Sequence, residues 1–140
     1  MKTRALDSWA ILEWMNARQP ACDRLDGLLA EAEAGKARLL MSAINVGEVY
    51  YFLWKSRSEE IAEQWRKLSG TLPVTIETPA YPDVWNAASL KARFPIAYAD
   101  AFAAALALKH NCALVTGDPE FQRMAHLELD WIGAGPKPCP

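Results

Sequence analysis

Four acidic residues stand out by their surroundings. Asp7, Glu48, Asp100 and Asp118 each fall just after an apolar, strand-like run or at the head of the helix beside it. In a parallel α/β sheet such positions share the carboxyl edge, where these sheets carry their chemistry. Four carboxylates in one pocket cannot all stay ionised unaided, because mutual repulsion raises their pKa values unless positive charge sits among them. No nearby sequence element supplies an obvious lysine or arginine, so divalent metal is the natural counter-charge. Hard oxygen ligands without cysteine or histidine favour Mg²⁺ or Mn²⁺. One or two such ions would activate a water, orient a phosphate and stabilise the leaving oxygen of an in-line displacement. That chemistry is phosphodiester hydrolysis, giving a 5′-phosphate and a 3′-hydroxyl without use of the 2′-hydroxyl. Taken singly, each acid also has an ordinary role as a helix cap or macrodipole partner.

The elements that must position these acids alternate between short strands and helices. Residues 4–7 end a first strand, so Asp7 sits where it stops, and residues 8–16 read as a helix. Residues 20–35 form a second amphipathic helix with Cys22, Leu25, Leu28, Leu29 and Ala32 on one side, closed by Gly35. A strand over 38–42 leads into a helix over 44–54, with Ser42 as its N-cap and Glu48 in the same layer as Asp7. Residues 58–70 read as a helix, 72–77 as a strand and 82–93 as a helix ending at Phe94-Pro95. An alanine-rich helix then begins near Asp100 and stops at Asn111, followed by a buried strand over 112–116 and the turn Gly117-Asp118-Pro119. A short helix over 120–125 and a strand over 128–132 complete the pattern. It predicts an α/β fold: a single domain over residues 1–132, with a parallel sheet of about five strands covered by helices on both faces. Residues 133–140, with two glycines and three prolines, are expected to form an extended tail.

Composition narrows the function classes. A net charge of −2 excludes coating of nucleic acid through a global positive field, although it permits a local basic patch. Cys22, Cys112 and Cys139 are odd in number and widely separated, which indicates neither a disulfide framework nor a zinc site. His110 and His126 are too few for a histidine cluster, and His110 reads as a dipole partner at a helix C-terminus. The N-terminus lacks the apolar run of a signal peptide, and no apolar stretch approaches the roughly 20 residues that span a bilayer. A soluble, cytoplasmic protein without membrane association is therefore expected. The helices over 8–16 and 44–54 are apolar around more than one face, as a surface covered by another protein or a second subunit would be.

Four segments in order carry a family resemblance: Leu6-Asp7-Ser8; Ser42-Ala-Ile-Asn45-Val-Gly-Glu48-Val; Tyr98-Ala-Asp100-Ala-Phe; and Leu114-Val-Thr116-Gly-Asp118-Pro-Glu-Phe121. The chain resembles PIN-domain nucleases, and specifically the VapC-type ribonuclease toxins of type II toxin–antitoxin systems, over about residues 3–132. Each segment alone is common; the four acids in this order, 41, 52 and 18 residues apart, are specific. The resemblance implies a metal-dependent endoribonuclease acting on tRNA or rRNA, a homodimer, and neutralisation by a small cognate antitoxin. Carried over residue by residue, it implies Asp7, Glu48 and Asp100 as the core metal ligands, with Asp118 completing the pocket directly or through water. Thr116, Ser8 and Asn45 would orient ligands or waters; Asn45 stands where many relatives have a hydroxyl, and its amide could still bond a neighbouring carboxylate. Glu120 could reach the pocket but reads rather as a first-turn dipole partner. The resemblance also implies antitoxin binding along the first helices and dimer contacts through residues 44–54.

Rival readings fare worse. A receiver-type phosphoacceptor needs an aspartate ending the third strand and a lysine ending the fifth, where this chain has Glu77-Thr78 and Ile132-Gly133. A haloacid-dehalogenase-type phosphatase needs an aspartate where Trp9 stands. A catalytically silent or housekeeping PIN module that binds RNA remains the alternative, and loss of one of the four acids would be its mark.

Overall fold

The computed structural model describes residues 1–137. Five strands form one sheet: β1 (Lys2–Leu6), β2 (Ala37–Ser42), β3 (Thr75–Glu77), β4 (Ala113–Thr116) and β5 (Leu129–Trp131). They pair in the order β3-β2-β1-β4-β5, and every pair is parallel. The helices are α1 (Ser8–Met15), α2 (Ala21–Glu33), α3 (Ala43–Ser56), α4 (Glu59–Ser69), α5 (Tyr81–Arg93) and α6 (Tyr98–Lys109). Between β4 and β5 runs a 3₁₀ helix, Pro119–Arg123, in place of the α-helix expected over 120–125. Proline at its start and Asp118 as its cap favour this tight single turn, which has no room to lengthen before Met124. The third strand is also shorter than its apolar pattern, because Pro73 can donate no ladder hydrogen bond.

Period-2 alternation along the central strands divides the core into two layers. Ala5, Leu40 and Leu114 face α5 and α6. Leu6, Leu39, Met41 and Val115 face α1 to α4. The alanines of α6 are what let it lie close to the sheet: Ala101, Ala103, Ala104 and Ala107 are buried. Asn111 ends that helix with φ 48°, a conformation asparagine tolerates. His110 does more than favour the helix dipole. Its Nε2 lies 2.7 Å from Glu77 Oε2, and Lys109 reaches Glu77 and Asp83, so the end of α6 is tied to β3 and α5.

Topology decides where a site can form. The chain leaves β1 for β2 on one side and returns as β4 on the other, so the strand order reverses at the β1–β4 pair. Crevices at such switch points open at the carboxyl edge. Leu6 pairs with Met41 on one side and Val115 on the other, which sets Asp7 at the edge between Ser42 and Thr116. Cys139 and the end of the expected tail lie outside the described residues; Gly133 is buried and residues 134–137 are exposed. Among the described residues no helix is long and apolar enough to cross a membrane.

Candidate functional site

Asp7 is held by both its carboxylate oxygens. Oδ1 accepts the Ala10 N–H at 2.8 Å, capping α1, and Oδ2 accepts the Thr116 hydroxyl at 2.5 Å. Thr116, itself fully buried, also accepts the Asp118 N–H at 3.0 Å through the same hydroxyl. One side chain at the end of β4 thus fixes both the acid that ends β1 and the turn that carries Asp118. Asp118 Oδ1 in turn caps the 3₁₀ helix by accepting the Glu120 N–H at 3.0 Å.

Gly117, between Thr116 and Asp118, has a steric cause. A Cβ there would lie 2.2 Å from Trp9 Cη2, because the Trp9 indole packs directly on the turn. Gly117→Ala is therefore expected to push either the ring or the turn out of place. It should lower stability by about 1–3 kcal/mol, read as a lower urea midpoint at unchanged slope. Trp9→Leu in the same chain should restore part of that loss.

The remaining acids arrive from two helices. Glu48 lies on the second turn of α3 and is 9% exposed, with the Tyr51 hydroxyl 3.5 Å from its Oε2. Asp100 lies in the first turn of α6. Its carboxylate, that of Asp118 and that of Glu120 place an oxygen each within 4.8 Å of one another. Glu120 therefore belongs with the acids rather than serving only as a dipole partner. The 3₁₀ turn that follows Asp118 keeps Glu120, two residues on, within reach of the Asp100 carboxylate.

Ser8 and Asn45 join the three elements that carry Asp7, Glu48 and Asp100. The Ser8 hydroxyl donates to the Asn45 carbonyl at 3.3 Å and accepts from Asn45 Nδ2 at 3.1 Å. Asn45 Nδ2 also donates to the Ala99 carbonyl at 3.1 Å, one residue before Asp100. The amide thus bonds helix starts rather than a carboxylate, contrary to the sequence expectation. Asn45 is fully buried, and its Oδ1 has no hydrogen-bond partner.

Electrostatics show the strain of this gathering. Burial raises the Asp7 pKa to about 8, against the lowering effect of its two hydrogen bonds and with added repulsion from Asp100 and Asp118. Burial and then the charges of Glu48, Asp118 and Glu120 raise Asp100 to about 7. Every charge acting on these two groups is another carboxylate. Oxygen donors at close range, an orphaned buried amide oxygen and no cation among them make a set that fits a hard divalent ion. Such an ion would restore the ionised forms that burial opposes.

Comparison with known proteins agrees with this reading of the fold. The PIN domain model matches residues 5–127. The chain belongs to the PIN-domain family. Its fold is also that of VapC-type toxins in solved structures. VapBC-1 from nontypeable Haemophilus influenzae is 26% identical, with a TM-score of 0.65 over 92% of this chain and 96% of that one. VapC20 of Mycobacterium tuberculosis, a sarcin-ricin loop cleaving toxin, is 16% identical with a TM-score of 0.73 over 90% and 98%. VapBC2 from Rickettsia felis, solved on a DNA fragment of its promoter, is 18% identical with a TM-score of 0.71 over 94% and 99%. No curated protein sequence gives a match.

Proposed function

We propose that this PIN domain is a Mg²⁺- or Mn²⁺-dependent endoribonuclease, the toxin of a toxin–antitoxin pair, that hydrolyses phosphodiester bonds in tRNA or rRNA. The observation that carries it is the cluster of Asp100, Asp118 and Glu120 within 4.8 Å, electrostatically joined to Asp7 and Glu48 with no cation among them. Asp7, Glu48, Asp100 and Asp118 would hold the metal. A bound divalent ion supplies charge neutralisation at the phosphate and activation of a water nucleophile.

The chain's own groups do the positioning. Thr116 keeps the Asp7 carboxylate turned to the edge, and the Ser8–Asn45 pair fixes the start of α6 and with it Asp100. Ordered ligands held by a buried hydrogen-bonded shell bind metal more tightly than mobile ones. In the reaction a water oxygen forms the new bond to phosphorus, the P–O3′ bond breaks, and the departing 3′-oxygen takes up a proton. RNA thus ends in a 3′-hydroxyl on one product and a 5′-phosphate on the other.

Two further features support the toxin reading. The solved relatives include toxin–antitoxin pairs. In addition, α3 leaves Ile44, Tyr51, Phe52 and Trp54 between 41% and 48% exposed, a patch that a second subunit or an antitoxin would cover. The purified protein should cut total tRNA or rRNA into discrete fragments bearing 5′-phosphates, with Mg²⁺ or Mn²⁺ and not with EDTA. Intact RNA alongside stoichiometric Mn²⁺ binding would favour a silent RNA-binding module instead.

A further inference from the structure

A cavity of about 280 Å³ lies against the acidic cluster, lined by Pro95, Pro119, Glu120, Gln122 and Arg123. Glu120 is common to both: its carboxylate lies within 4.8 Å of those of Asp100 and Asp118, and the residue also lines the cavity. The other walls come from residues that bracket the acids in the chain. Pro95 precedes α6, and Pro119 directly follows Asp118. The volume approaches the roughly 300 Å³ at which small-molecule clefts begin, enough for one nucleotide and too little for a peptide helix.

We infer that this cavity is a nucleotide subsite that seats the residue of the RNA next to the bond being cut. The inference rests on the endoribonuclease reading given above and adds to it the groups that would read the substrate. Arg123 is exposed in the last turn of the 3₁₀ helix and supplies the positive charge the acidic cluster lacks, suited to a phosphate oxygen. Gln122 is a half-buried polar wall residue whose Oε1 is buried without a hydrogen-bond partner, so a turn of the side chain towards the cavity would cost it no bond within the protein. An amide with an unspent acceptor is the type of group that pairs with the edge of an unstacked base. Pro95 and Pro119 also line the cavity, and a proline ring is an apolar surface against which a base can pack. Recognition of single-stranded RNA combines these elements, a cation for the backbone, a face for the ring and a polar group for the edge.

Binding of fluorescein-labelled octamers of rA, rC, rG-interrupted rA and rU would test this by anisotropy, in Asp100→Asn protein so that the RNA stays intact. Arg123→Ala should weaken every octamer about tenfold and flatten the salt dependence by about 0.7 in slope. Arg66→Ala, which removes an exposed arginine on α4, should do neither. Gln122→Ala should alter the order of preference among the four octamers. The subsite is overturned if Arg123→Ala behaves like Arg66→Ala, or if Gln122→Ala leaves the order unchanged. Should the octamers fail to bind while larger RNA is still cleaved by the unsubstituted protein, the subsite falls and the nuclease stands. Neither binding nor cleavage of any RNA would remove both.

Discussion

An Asp100→Asn variant is expected to lose RNA cleavage by on the order of 10³-fold or more while becoming more stable in EDTA at pH 8. The two effects have one origin. In the metal-free protein Asp100 is pushed up to about 7 by burial and by Glu48, Asp118 and Glu120, so its ionised form is resisted by everything around it. An uncharged amide of the same shape relieves that repulsion. The gain should be about 1–2 kcal/mol, less than the full shift implies because the carboxylate is partly solvated. The amide cannot replace the carboxylate as a charged oxygen ligand, so the same change that relaxes the fold removes Mn²⁺ affinity. Chemical denaturation and calorimetric Mn²⁺ titration on one preparation read both. If Asp100 were only a helix cap, the variant would be neutral or less stable and would still cut RNA.

Metal-free stability is expected to fall steadily as pH rises from about 4 to about 8. Asp7 and Asp100 have folded-state pKa values of about 8 and about 7 against an ordinary 3.8. Between these limits the folded chain holds protons that the unfolded chain has released, so raising the pH favours unfolding. Their stabilising protonated forms are fully present below about 3.8 and are lost as pH passes through 7 to 8. Each such proton is worth about 1.4 kcal/mol per pH unit, so two give a loss of roughly 2 kcal/mol per unit through the middle of the window, allowing for the partial exposure of Asp100. Glu77 and Asp83 work in the opposite direction. The Lys109 side chain and the Ala80 N–H, respectively, hold their carboxyls below the ordinary range, and their contribution is lost only as pH falls below that range. Melting curves in EDTA from pH 5 to 8.5 would show the decline. Added Mn²⁺ should flatten it and release protons on binding. A profile in EDTA that is flat over that range would mean the acids are not held together as described.

The sequence by itself carried the elements and the acids. Strand-ending Asp7, Asp118 after Thr116-Gly117 and Asp100 at the start of an alanine-rich helix are local patterns, set by period, capping and turn chemistry within a few residues. Glu48 followed from Ser42, whose side chain caps α3 by accepting the Ile44 N–H at 3.2 Å and so fixes the helical register. Alternation of strands and helices was enough for a parallel sheet covered on both faces, and the structure has that architecture.

What tertiary structure alone decided were the relations across long sequence separations. The Thr116 hydroxyl meets Asp7 because β4 pairs beside β1, 109 residues away in the chain, and no local signal encodes which strands become neighbours. Trp9 forbids a side chain at Gly117 for the same reason. Glu120 joined the acids, and the Asn45 amide turned to Ser8 and Ala99, once the tight 3₁₀ turn and the packing of α3 against both α1 and α6 were formed. The raised pKa values of Asp7 and Asp100 likewise belong to the folded chain, because desolvation and repulsion exist only after burial has brought the carboxylates together.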